Sequence, residues 1–168
     1  MVNFFIESNK TIVAENLFGL CDDTNGSKKS PAYIDLVDKE MWIATAFNSE
    51  SIEIEFYPLD GCVKWSLPDG KQAKVCDGML SYNQQKNIIF VELKDRNPKY
   101  KKWRIEAEEQ LKSTICCYKC TYKEYSAQIK AYVSNKQLLF DESSEEYMER
   151  FKDKTGVTLR YSREIKII

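Results

Sequence analysis

The sequence predicts an α/β chain of the α+β kind, with a central mixed β-sheet flanked by helices. Three observations carry this prediction. Residues 74–82 and 88–94 are two strand-like segments joined by a short polar turn, residues 99–119 carry an apolar stripe at helical spacing, and a further strand and amphipathic helix follow. At 168 residues, 43% hydrophobic and 12% aromatic, the chain is long enough for a single domain over 1–168 with a real core.

Residues 8–20 read as a short helix with Gly19 near its end, and residues 22–31 as a loop, the segment expected to be most mobile. Residues 41–47 and 52–57 read as strands, the second alternating cleanly. The polar turn at 48–51 joins them into a hairpin, which with the helix makes up the N-terminal part, 1–60.

Residues 74–82 and 88–94 form a second antiparallel hairpin around the turn at 83–87. In the second strand, successive side chains alternate, so Glu92 and Lys94 emerge on one face and Ile89, Val91 and Leu93 on the other. Burying such charges is costly unless they are paired or bind an ion, which makes the pair a candidate site. A turn centred between Gln84 and Gln85 sets Asp77 opposite Glu92, close enough for two carboxylates to share one cation.

In the helix at 99–119, Trp103, Ala107, Leu111, Thr114, Ile115 and Tyr118 fall within an arc of about 120°, with Lys112 on the opposite side. That face packs on the sheet, and Gln110 at its margin is placed to look toward it. A strand at 125–133 follows. Residues 141–156 then read as a helix with a Ser cap, acids in its first turn, bases in its last and Gly156 closing it; residues 157–168 supply a last strand.

Composition narrows the chemistry. There is no histidine, which excludes imidazole-dependent triads, Cys/His pairs and HExxH zinc sites. Carboxylates, lysines, thiols and hydroxyls remain. The six cysteines are irregularly spaced, as expected of reduced thiols in a cytoplasmic protein, and no apolar run reads as a membrane span or a signal peptide. Net charge is −1, but residues 1–60 hold 4 basic and 11 acidic residues, whereas residues 94–136 hold 11 basic and 5 acidic. An anionic partner such as a nucleic acid would be drawn to the second segment, although an evenly solvated surface is the plainer alternative. Within it, residues 94–104, with Tyr100 and Trp103 among the bases, read either as a phosphate-tracking loop or as solvated lysines beside a Trp103 that belongs to the helix core.

The order of these elements resembles the PD-(D/E)xK, or restriction-endonuclease-like, nuclease superfamily. The matching residues are Asp77 on one strand, Glu92 and Lys94 on the next, and Gln110 on the covering helix, over a core of about 70–135. Cys76 stands where the family's namesake proline would be. Asp69, preceded by Pro68, is a rival for the first acid, but it sits in a turn signal with Gly70. The resemblance implies a restriction-endonuclease-like core and a nuclease that hydrolyses phosphodiester bonds. Asp77 and Glu92 would hold Mg²⁺ or Mn²⁺ with the backbone carbonyl of Leu93, Lys94 would orient or deprotonate the attacking water or offset charge, and Gln110 would support them. It also implies a nucleic-acid partner, DNA before RNA, and a homodimer if both strands of a duplex are cut in one encounter. An additional upstream acid is common in the family, and Glu15, Glu53 and Glu55 are not ranked for that role.

Two rival readings stand beside this one. The first is a catalytically inert binding module of the same fold. The second is a thiol or zinc site at Cys117 and Cys120, which supply only two ligands.

Overall fold

The computed structural model describes residues 1–23, 30–124, 126–138 and 145–167. Along the chain run β1 (Thr11–Val13), β2 (Leu17–Cys21), β3 (Tyr33–Asp35), β4 (Ala44–Phe47), β5 (Ile54–Pro58), β6 (Gly78–Tyr82) and β7 (Asn87–Lys94). Helix α1 (Lys102–Thr121), β8 (Gln128–Asn135), α2 (Glu145–Thr155), β9 (Thr158–Tyr161) and β10 (Glu164–Lys166) follow. The fold is α+β with two mixed sheets, a six-stranded one in the order β1-β5-β6-β7-β8-β9 and a four-stranded one in the order β10-β4-β2-β3. Among the described residues no helix is long and apolar enough to cross a membrane.

The alternation of β7 organises the layers. Ile88 and Phe90 point into a core shared with Trp103, Ala107, Leu111 and Ile115 of α1 and Phe151 of α2. Ile89, Val91 and Leu93 point the other way, into a core shared with Phe18, Leu20, Ala44, Ala46 and Ile165 of the smaller sheet. Helices therefore cover one face of the large sheet and the second sheet covers the other. Burial on both sides explains why β7 is apolar almost throughout. The crossover through α1 brings β8 back parallel to β7, as a connection of that length permits.

The helical reading of residues 8–20 is overturned: they form β1 and β2. Phe18 and Leu20 alternate onto the core face, and Gly19 is not a helix stop. A Cβ there would lie 2.2 Å from the ring of Trp42, which packs flat against the strand. The first expected hairpin is also corrected. Its strands exist as β4 and β5, but they lie in different sheets. Asn48, 1% exposed, turns the chain between them, its Nδ2 donating to the carbonyls of Glu15 (3.2 Å) and Ile52 (2.8 Å). The expected last strand is two, β9 in the large sheet and β10 in the small one.

The second hairpin has the expected register, with Gly78 opposite Val91 and Tyr82 opposite Asn87. Its turn takes left-handed backbone at Asn83, Gln84 and Gln85, at φ 53°, 56° and 64°. The buried residues of α1 are Trp103, Ala107, Leu111, Thr114, Ile115 and Tyr118, the arc read from the spacing. Helix α2 closes at Gly156, whose φ of 71° suits a glycine and whose N–H donates to Lys152 O at 2.7 Å. The expected Ser cap of α2, and most of the loop at 22–31, lie outside the described residues.

Candidate active site

The site forms where β6, β7 and α1 meet. Strand β6 begins at Gly78, and its register continued by one residue sets Asp77 beside Glu92. Gly78 is needed at that crossing, because a Cβ would lie 2.5 Å from the Phe56 ring on β5. Asp77 is held from both sides. Its N–H donates to Glu92 Oε2 at 3.2 Å, and its own Oδ2 accepts the Leu93 N–H at 2.6 Å. Among the described residues no hydrogen bond reaches its other oxygen, Oδ1.

Lys94 Nζ lies 2.5 Å from Glu92 Oε1 and also donates to Gln110 Oε1 at 3.1 Å. The Gln110 amide nitrogen donates to Val75 O at 3.1 Å. One turn further along α1, Thr114 Oγ1 accepts the Cys76 N–H at 2.9 Å and donates to the carbonyl of Gln110 at 2.8 Å. Three successive residues, 75 to 77, are thus tied by side chains of α1 and β7 in place of a regular ladder. The four residues singled out in the sequence, Asp77, Glu92, Lys94 and Gln110, converge on one spot.

Glu92 is fully buried, Asp77 is 6% exposed, and the Lys94 side chain is 16% exposed. Burial pushes the Asp77 carboxyl up to about 7; the charges of Asp22 and Asp60 add to the push, while the Leu93 N–H and Lys94 oppose it. Burial and the charge of Asp77 raise Glu92 well above the usual carboxylate range, against the pull of Lys94. For Lys94, burial works against the ammonium, but Glu92 outweighs it and holds the pKa above the ordinary lysine value. Lys94 therefore keeps its proton at neutral pH. Two buried acids share a single ammonium, so the cluster takes up a proton near neutrality or accepts a further cation.

Other residues enter that the sequence did not single out. Asp22, just past the end of β2, and Asp60, just past β5, both act electrostatically on Asp77. Neither could be ranked without the strand order. Glu15, Glu53 and Glu55 take no part in the hydrogen bonds of the cluster: Glu55 accepts from Lys10 and Tyr57, and Glu15 from the Ala14 N–H. Asn135 ends β8 opposite Lys94 and is fully buried. Its side chain accepts from Arg96 N at 3.1 Å and donates to Arg96 O at 2.8 Å, fixing the start of the basic loop. In that loop Tyr100 is 70% exposed, whereas Trp103 is core.

All six cysteines are free thiols, and among the described residues no group of three or more Cys, Asp or Glu side chains forms a ready-made metal cage. Two carboxylates with a main-chain carbonyl suit a hard cation that keeps most of its waters, as Mg²⁺ does. Oδ1 of Asp77 is open to such a ligand, and each Glu92 oxygen, already accepting one N–H, has a second lone pair. Comparison with protein-family models, curated proteins and solved structures returns no match for this chain.

Proposed function

We propose that this chain is a metal-dependent nuclease of the PD-(D/E)xK type, cutting phosphodiester bonds in a nucleic acid, DNA before RNA. The observation that supports the reading is the convergence of Asp77, Glu92, Lys94 and Gln110 from three elements in a mostly buried cluster. Apolar side chains would fill such a position at less cost to the fold. Asp77, Glu92 and the Leu93 carbonyl would hold Mg²⁺ or Mn²⁺. The ion, when bound, supplies a water of lowered pKa and offsets charge on a phosphoryl oxygen.

The chain's own groups do the rest. Lys94, protonated, is a donor that orients a water or offsets negative charge rather than a base that removes a proton. Gln110 holds Lys94 with its oxygen while its nitrogen is anchored on Val75, which makes it a positioning residue. The free thiols fit a reducing, cytoplasmic setting, and cutting both strands of a duplex at once would require a homodimer.

The test is Mg²⁺-dependent cleavage of labelled DNA and RNA by the wild type and by Asp77→Ala, Glu92→Gln and Lys94→Ala, with circular dichroism to confirm folding. Loss of cleavage in all three folded variants is expected. Undiminished cleavage by Lys94→Ala would show the assignment to be wrong.

A second reading is favoured by one detail: Glu92 has no exposed surface and both its oxygens are already bonded within the chain. That arrangement suits an inert binding module of the same fold. Titration calorimetry with Mn²⁺ separates the two, since the nuclease reading requires heat of binding that disappears in Glu92→Gln.

A further inference from the structure

Helix α1 has two flanks. One carries Gln110, at the candidate site, and Glu106, whose charge reaches Lys94. The other faces α2 across a groove of about 530 Å³. Lys101, Arg104 and Lys112 line its α1 wall, and Arg150 and Lys154 its α2 wall.

Bases outnumber acids in the groove lining. Glu108 in the groove accepts the Tyr161 hydroxyl, and Glu109 is ion-paired with Lys74 at 2.7 Å. Among the described residues Lys101, Lys112, Arg150 and Lys154 form no ion pair. Like charges gathered on facing helices repel, and nothing in the packing calls for them. The groove also offers flat apolar surface: Ile105 is 57% exposed, and the Tyr147 ring lies 5.0 Å from the Arg150 guanidinium.

The arrangement of charge selects the partner. A single anion would be met by cations converging on a point. Here they run along both walls, and Lys101 to Lys112 spans about 16 Å of helix. That length lies along several successive phosphates of one strand rather than around a single anion. We propose that the α1–α2 groove is a second nucleic-acid contact, holding the phosphodiester backbone of a strand on the flank of α1 away from the candidate site. Tyr147 gives a base an aromatic face to stack on. The inference rests on the nuclease reading and extends it to how the substrate is held.

The experiment measures binding apart from cleavage. Fluorescence anisotropy of labelled oligo(dT) and of a duplex, each about 20 nucleotides long, is followed in EDTA from about 50 to 300 mM NaCl. The proteins are the wild type, a groove variant and a control of equal charge. The groove variant is Lys101→Ala/Lys112→Ala/Arg150→Ala/Lys154→Ala, and the control is Lys64→Ala/Lys71→Ala/Lys86→Ala/Lys123→Ala on exposed lysines elsewhere. The groove variant is expected to bind at least about tenfold more weakly, with a log–log salt slope shallower by up to about 3 for a single strand, while the control shifts much less. If the two variants bind alike, the groove is not a nucleic-acid contact.

Poly-glutamate serves as competitor. If it displaces the probes as effectively as an oligonucleotide of equal charge, the groove receives an acidic polypeptide and the inference is overturned. A wild type that binds neither probe removes the nuclease reading and the groove together. A wild type that binds and cuts, beside a groove variant that matches the control, removes the groove alone.

Discussion

Replacing Asp77 with asparagine should stabilise the metal-free protein most at pH 8, clearly less at pH 5 and little below about pH 4. Burial and the charges of Asp22 and Asp60 raise the Asp77 carboxyl from its ordinary 3.8 to about 7 in the fold. A carboxyl raised in this way favours the folded state fully below about pH 4, where it is protonated in both states. That contribution is lost as pH rises toward 7, because the unfolded chain releases its proton first. At pH 8 the folded protein carries an ionised Asp77 at a cost of up to about 4 kcal/mol, at about 1.4 kcal/mol for each pH unit. Asparagine keeps an oxygen for the Leu93 N–H, now 2.6 Å from Oδ2, and turns an N–H₂ toward the negative charge of its neighbours. We expect a gain of about 2–4 kcal/mol, or about 4–16 °C in Tm for a chain of this length. Thermal unfolding by circular dichroism in EDTA at pH 5 and pH 8 measures it. Adding Mg²⁺ at ten times its Kd should then raise wild-type stability at pH 8 by about 1.4 kcal/mol and leave Asp77→Asn unmoved. A variant less stable than wild type by the same amount at both pH values would refute the reasoning, since the carboxylate would then be well satisfied as it stands.

Three further outcomes follow from the same geometry. Lys94→Met strands the Glu92 carboxylate and should cost about 3–5 kcal/mol at pH 8 by urea unfolding, with a smaller loss at pH 5, because the raised Glu92 is protonated more readily as pH falls; equal losses would contradict the raised Glu92. Gln110→Leu removes the bonds to Lys94 and Val75, so it should cost about 1–3 kcal/mol and slow cleavage more than it weakens DNA binding, read as kcat against KM. Gly19→Ala drives a methyl into the Trp42 ring, 2.2 Å away, and should lose about 1–3 kcal/mol or more in thermal unfolding, with a change in tryptophan fluorescence.

Some features were readable because they depend on near neighbours in the chain. The stripe of α1 is a property of one helix, and its six buried residues follow from spacing alone. The register of β6 on β7 is set by a four-residue turn, so the neighbourhood of Asp77 and Glu92 could be read without knowing the sheet. Gln110 faces Lys94 because both lie on elements only a short loop apart.

What the sequence alone determined is therefore the hairpin, the covering helix and the four polar residues between them, each governed by local periodicity. Tertiary structure decided the rest. Residues 8–20 became strands because β5 and β4 offered edges to pair with and Trp42 required a glycine beneath it. Residues 41–58 split between two sheets, as did 157–167, because the free edges lay in different layers. The burial that raises Asp77, and the nearness of Asp22 and Asp60 that adds to it, follow from packing three segments far apart in the chain. No spacing rule along one strand or helix carries that information.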